Sequence, residues 1–225
     1  MLLSRRDILQ LLLLTPLIQF FYSKPAKASD NFPETVTALK EGHKAEATAH
    51  QRYVLFGRLA RENGYAGIAY LYTSLASSEK IHAENYKRIL GAMGVSVELL
   101  PETSIPIGDT KENLIYAAER ELNSINITYP AILEKIKAES NVDAIKVVEY
   151  SWSSHKQHLD IINKIRRWSP SFFETVARKI DEKTDRYFVC EICGSTVTET
   201  PQDKCPVCQQ AATSYRLISP EEFMG

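Results

Sequence analysis

The stretch "LYTSLASSEKIHAENY", Leu71 to Tyr86, carries the reading on which the fold turns. At helical spacing Leu71, Leu75, Glu79, His82 and Tyr86 fall on one stripe. A carboxylate on an apolar stripe is costly to bury unless something pairs with it. Glu79 and His82 form a Glu-x-x-His pair, which points an acid and an imidazole in the same direction. Taken alone, such a pair is surface decoration more often than a metal site. Matching donors on other helices change that balance.

Two further segments supply them. "KAEATAHQRYVLF", Lys44 to Phe56, places Glu46, Ala49 and Tyr53 on one face, and "NLIYAAERELNSINITYP", Asn113 to Pro130, does the same for Leu114, Ala117, Glu121 and Ile125. One glutamate from each of two helices, plus Glu-x-x-His motifs from others, is the ligand plan of ferritin-like dimetal bundles. The helical patterns agree. They run from Pro33 to Asn63, stopped by Gly64; from Ala66 to Met93, before Gly94; from Thr110, with "TKEN" offering an N-cap, past Pro130; and from Val142 to Trp168. Between the second and third, "VSVELLPETSIPIGD", Val95 to Asp109, is long enough to cross a bundle end to end. The expectation is an all-α ferritin-like four-helix bundle over residues 33–168, with a small C-terminal unit over 184–225. "SPSFFETVARKI", Ser169 to Ile180, predicts a short helix within a linker over 169–183.

The C-terminal unit holds all four cysteines of the chain, Cys190, Cys193, Cys205 and Cys208, as C-x2-C, eleven residues, C-x2-C. Each pair lets one turn present two sulfurs, and two facing turns make a tetrahedral four-sulfur cage for iron or zinc. Two disulfides are the competing reading. A unit this small also lacks the core to fold without a staple. Iron would carry an electron and zinc would be structural; spacing does not choose between them.

The N-terminus reads as a targeting segment. Ser4-Arg5-Arg6-Asp7-Ile8-Leu9 resembles a twin-arginine export signal, and the apolar run Ile8 to Phe21 is short for a membrane span. Ala26 and Ala28 are placed for cleavage, so residues 1–28 are expected to be removed by export machinery and the mature protein to be periplasmic or otherwise exported. An uncleaved membrane anchor is the alternative. The whole chain has a formal net charge of −1 over 225 residues, which argues against a nucleic-acid partner.

Together these motifs resemble the rubrerythrin family, a ferritin-like di-iron bundle followed by a rubredoxin-like domain. The resemblance covers Thr35 to Ile218. It rests on "EATAHQRY" around Glu46 and Tyr53, "SSEKIHAE" around Glu79 and His82, the third-helix stretch with Glu121, Tyr129 and Pro130, and the cysteine turns with Tyr187, Gly194 and Cys205-Pro206-Val207-Cys208. It implies iron in the four-cysteine site and a dinuclear iron or other metal pair in the bundle. It also implies reduction of hydrogen peroxide, an external electron donor, and a homodimer in which one tail approaches the other subunit's bundle. The latter follows if the two sites of one subunit lie far apart. Glu46, Glu79, His82, Glu121, Tyr53 and Tyr129 take the catalytic roles, and His155 and His158 complete the ligands.

The chain departs from the family at three positions. Ser124 stands where the family has a second third-helix glutamate. Gln209 stands where the rubredoxin-like module has a glycine in a left-handed turn. In "SSHKQHLD", Ser153 to Asp160, His155 takes the slot of a bridging glutamate, on a stripe with Ile145, Val148, Trp152, Leu159 and Ile162. A competing register uses Trp152 and His155, or recruits Glu149. On the favoured register Glu46, Glu79 and Glu121 supply three negative charges against four on two ferrous ions, with Glu79 as the main bridge. A non-enzymatic metal-binding or electron-transfer protein is the alternative function, peroxidase chemistry being lost with the carboxylates at 124 and 155.

Overall fold

A computed structural model describes residues 31–98, 104–166 and 186–223. The expected signal segment 1–28 and the linker helix 169–180 lie outside the described residues. Helix α1 spans Pro33–Glu62 and α2 Ala66–Ala92, joined by a tight turn in which Gly64 takes φ +83°. Helix α3 spans Thr110–Asn123; a π-helical segment, Ser124–Thr128, leads into α4, Tyr129–Glu139, and α5 spans Val142–Arg166. The first residue of α3 is not its cap. Asp109 caps instead: its side chain accepts from the Glu112 amide while the Glu112 carboxylate accepts from the Asp109 amide, a reciprocal capping box.

The third helical run was expected to be continuous, and the π segment inside it has a physical reason. Pro130 lacks an N–H, and its ring would clash with the carbonyl four residues back in an α-helix. The wider π turn relieves that conflict, and the freed Ile125 carbonyl accepts the Trp152 indole N–H at 2.9 Å. The extra residue also lets Glu121 and Tyr129 both face inward, where each is buried.

Two apolar layers flank the middle of the bundle. One contains Phe56, Leu71, Leu75, Leu114 and Ile162; the other contains Leu39, Leu90, Leu133, Ile136 and Val148. Each fully buried aliphatic side chain contributes about 1.5–3 kcal/mol. Burying unpaired charge between them costs several kcal/mol per ion, so the layers hold open a polar centre that does not stabilise itself.

The tail folds as a three-stranded antiparallel sheet in the order β2-β1-β3, with β1 Phe188–Cys190, β2 Thr196–Val197 and β3 Tyr215–Leu217. It packs on the same chain's bundle. Residues 71–79 of α2 are all buried, one side by the other helices and the other by the tail. Small side chains allow this approach. Ser78 Oγ donates to the Gly194 carbonyl at 2.5 Å, Ser154 Oγ to the Cys193 carbonyl at 3.2 Å, and Ser77 Oγ accepts from Arg216 at 3.1 Å. At the far edge the Tyr70 hydroxyl donates to the Ile218 carbonyl at 2.8 Å. Within one chain the two sites therefore lie side by side.

Candidate metal centres

In the tail, two turns of the same construction face each other. The Gly194 amide donates to the Cys190 carbonyl at 2.8 Å, and the Gln209 amide to the Cys205 carbonyl at 2.9 Å. Gly194 has φ +78° and Gln209 φ +60°, so both turns close through a left-handed residue, as the sequence required of Gln209. All four cysteines are buried and free. The Sγ separations are 3.7 Å for Cys190–Cys208 and 3.6 Å for Cys193–Cys205. Those are far beyond an S–S bond of about 2.05 Å, and close to the edge of about 3.8 Å of a tetrahedron with metal–sulfur bonds of about 2.3 Å. Hydrogen bonds from Cys190 and Cys193 hold the Cys205 thiol far below its usual range. The donor set fits iron or zinc.

The bundle brings together six donors from α1, α2, α3 and α5. Glu46, Glu79, His82 and His155 form one buried cluster, and Glu79, Glu121, His155 and His158 a second, each with its ligand atoms within 4.8 Å of one another. Glu79 is fully buried and faces both ways: its Oε2 lies 2.8 Å from His82 Nδ1, and its Oε1 lies 3.4 Å from His158 Nδ1. Glu79 Oε1, Glu121 Oε2, His155 Nδ1 and His158 Nδ1 are buried without a hydrogen-bond partner. Buried polar atoms are rarely left so. Four of them converging on one point, all lone-pair donors, fit a cation.

The outward atoms of the same residues are held. Tyr129 Oη donates to Glu46 Oε1 at 2.6 Å, and Tyr53 Oη donates to Glu121 Oε1. Burial, then the carboxylate beside each ring, pushes both phenols well above their usual range, so both stay protonated as donors. His82 Nε2 lies 3.1 Å from the Cys193 carbonyl, while His158 Nε2 lies 3.0 Å from Ser78 Oγ and 3.3 Å from Thr196 Oγ1. Each of these histidines presents Nδ1 to the centre and anchors its other nitrogen at the tail contact. Such outer partners fix ring orientation at metal sites.

Charge balance follows the geometry. Burial alone would raise Glu121, but the His155 charge and the close approach of the His155 and His158 rings outweigh it and lower it to about 2. Burial alone would lower His158, but Glu121 and Glu79 raise it to about 9. Of the competing fourth-helix candidates, Glu149 is exposed, and the Trp152 indole N–H is engaged by Ile125. Ser124 is half-buried and lines, with Glu46, Glu121 and His155, an open cavity of about 310 Å³. The docking serines, Ser78 and Ser154, escaped sequence reasoning. Their signal was the run of small residues around Ser74–Ser78 and again at Ser154, buried positions that carry no bulk.

Comparison with known proteins agrees with this arrangement. The rubrerythrin family model matches residues 37–166. Rubrerythrin-2 of Clostridium acetobutylicum is 26% identical over 180 residues, covering 77% of this chain and 91% of that protein. Nigerythrin of Nitratidesulfovibrio vulgaris is 28% identical over 175 residues, covering 77% and 81%. The solved structure of fully reduced, all-ferrous nigerythrin matches with a TM-score of 0.68 at 26% identity, over 81% of this chain and 86% of that one.

Proposed function

The chain belongs to the rubrerythrin family of non-haem di-iron proteins, and from that premise we propose that it is an exported peroxidase that reduces hydrogen peroxide at the bundle centre with electrons passed through the four-cysteine iron. The family and both donor clusters support iron as the cofactor. Glu46, Glu79, His82, Glu121, His155 and His158 would hold the bundle pair, and the four cysteines the single iron. When bound, the iron pair supplies the electrons that split the O–O bond: one peroxide, two protons and two electrons give two waters.

The observation that carries this reading is the His82 ring. Nε2–H meets the Cys193 carbonyl at 3.1 Å while Nδ1 faces the Glu79 carboxylate, so one imidazole spans the cage and the centre. Electrons therefore have a short route within one chain, and a tail from a second subunit is not required for it. The residues around the centre orient and shield. Tyr53 and Tyr129 hold one oxygen each of Glu121 and Glu46 and leave the other turned inward. The cavity lined by Glu46, Glu121 and His155 admits a molecule the size of peroxide. The proposal includes a homodimer and an external electron donor, on family resemblance. It also includes export through the twin-arginine segment.

The test is anaerobic. Protein reduced without excess reductant is mixed with hydrogen peroxide, and the thiolate-to-iron absorption of the tail is followed. Re-oxidation by about one peroxide per two electrons supports the reading, and tail oxidation that is unchanged when bundle metal is absent overturns it. Ser124, which stands at the cavity wall where the family has a second third-helix glutamate, favours a second reading as an electron-transfer protein. On that reading the bundle iron is reduced through the tail but peroxide is not consumed. For export, replacing Arg5 and Arg6 by Lys should leave the protein in the cytoplasm; mature protein beginning after Ala28 in the periplasm supports the proposal.

A further inference from the structure

We propose that His155 bridges the two metal positions of the bundle through both ring nitrogens, as an imidazolate. The inference rests on the dimetal reading above. Its Nε2 lies 3.3 Å from Glu46 Oε2 and 3.3 Å from Glu79 Oε2, whereas its Nδ1 lies 2.5 Å from Glu121 Oε2. The donors thus sort into two sets of four. One is Glu46 Oε2, Glu79 Oε2, His82 Nδ1 and His155 Nε2; the other is Glu79 Oε1, Glu121 Oε2, His155 Nδ1 and His158 Nδ1. The sets share two residues, Glu79 and His155, and each of these turns a different atom to each set. Each atom of the second set is buried and has no hydrogen-bond partner.

His155 differs from the other two histidines. His82 and His158 spend Nε2 on the Cys193 carbonyl and on Ser78 with Thr196, so each has one nitrogen for metal. Both His155 nitrogens face carboxylates of the centre. A neutral imidazole has one lone pair for coordination and one N–H. Binding the first metal uses the lone pair. Binding the second releases the remaining proton to solvent and uses the pair left on nitrogen, with no electron transferred.

The charge count agrees. Glu46, Glu79 and Glu121 bring three negative charges, one short of two ferrous ions. An imidazolate brings the fourth, and the centre becomes neutral. The histidine thus replaces a bridging carboxylate both in span and in charge. The competing arrangement is a protonated His155 held by Glu46 and Glu121 as an ion pair, which would repel a metal and would still leave Glu79 Oε1 and His158 Nδ1 without a hydrogen-bond partner.

The test reads nitrogen–metal bonds, independent of turnover. Full-length protein carrying ¹⁵N-labelled histidine is loaded with ¹¹³Cd, and splitting of each imidazole nitrogen by cadmium is recorded. Both His155 nitrogens should be split, and Nδ1 alone of His82 and of His158. In the His155→Glu protein, the two His155 signals should vanish while the His82 and His158 splittings stay. Two bundle cadmium ions with one His155 nitrogen split and the other still protonated would overturn the bridge and leave the dimetal reading standing. Cadmium splitting of no histidine at all would overturn both.

Discussion

The two metal clusters of this chain bury charge in opposite ways. The tail gathers four identical thiols from two local turns, each closed by a backbone N–H bond and a left-handed residue. The bundle gathers three acids and three imidazoles from four helices, between residues 46 and 158. The cage is a local object that a short segment can form around a metal. The bundle centre exists only when all four helices are packed, and it is destabilised when any one donor is lost. A local cage tolerates a poor residue in one turn; a distributed centre depends on each carboxylate.

The most severe test of that difference is Glu79→Ala. Glu79 contacts both halves of the centre, with Oε2 toward His82 and Oε1 toward His158. Its removal should release both bundle metals and cost about 3–5 kcal/mol in the metal-free protein, because it strands buried imidazolium charge. Metal analysis and the visible spectrum check it: tail iron should be unchanged. A retained bundle pair would refute the claim that the centre is distributed.

Next in size is the seam between the two clusters. A Cβ at Gly194 would lie 2.3 Å from His82 Nε2 and 2.9 Å from Ser78 Oγ, and φ is +78° there. Gly194→Ala should therefore separate the tail from the bundle at a cost of about 1–3 kcal/mol. Both clusters should still bind metal, but reduction of the bundle through the tail should lose its fast phase in stopped-flow absorbance. Undiminished transfer would show that the Cys193–His82 contact is not the route.

Acid and base should separate the clusters more gently. His158 is raised to about 9 from 6.5, so in metal-free protein its stabilising contribution is complete below about pH 6.5 and is lost as pH rises through 9. Glu121 is lowered to about 2 from 4.5, so its contribution is complete above about pH 4.5 and is lost as pH falls through 2. The metal-free bundle should be most stable between about pH 4.5 and 6.5. Urea midpoints across pH check this, and a midpoint that rises between pH 7 and 9 would contradict the ion pairing.

How much of each cluster could be read in the sequence follows from the same contrast. The cage was legible from Cys190 to Cys208 because its chemistry is local. Glu46, Glu79 and Glu121 were legible as acids on apolar stripes, and the structure turns all three into two adjoining clusters that share Glu79. Three things were not. The π segment depends on how Pro130 is accommodated by its neighbours. The docking of the tail depends on serines whose smallness carries no periodic signal. The two-sided placement of His155 depends on which atoms of other helices its ring meets, and a helical wheel reports direction without reporting partners.

The smallest expected effect lies within the cage and asks whether its two turns are alike. Gln209 occupies a left-handed position at φ +60°, and its side-chain Nε2 donates to the Pro206 carbonyl at 3.1 Å. A left-handed non-glycine residue costs about 1–2 kcal/mol, an exposed hydrogen bond returns part of that, and glycine pays about 0.4–1 kcal/mol in unfolded-chain entropy. Gln209→Gly should thus stabilise the metal-bound tail by about 1 kcal/mol or less, seen as a small rise in the guanidinium midpoint of the tail's visible absorption. Gln209 and Pro206 are exposed, so transfer to the bundle centre should not change. Gly194, in the equivalent turn, has no such freedom, because its hydrogen atoms face His82. A Gln209→Gly effect as large as that of Gly194→Ala would mean that left-handed strain, and not contact with the bundle, separates the two turns.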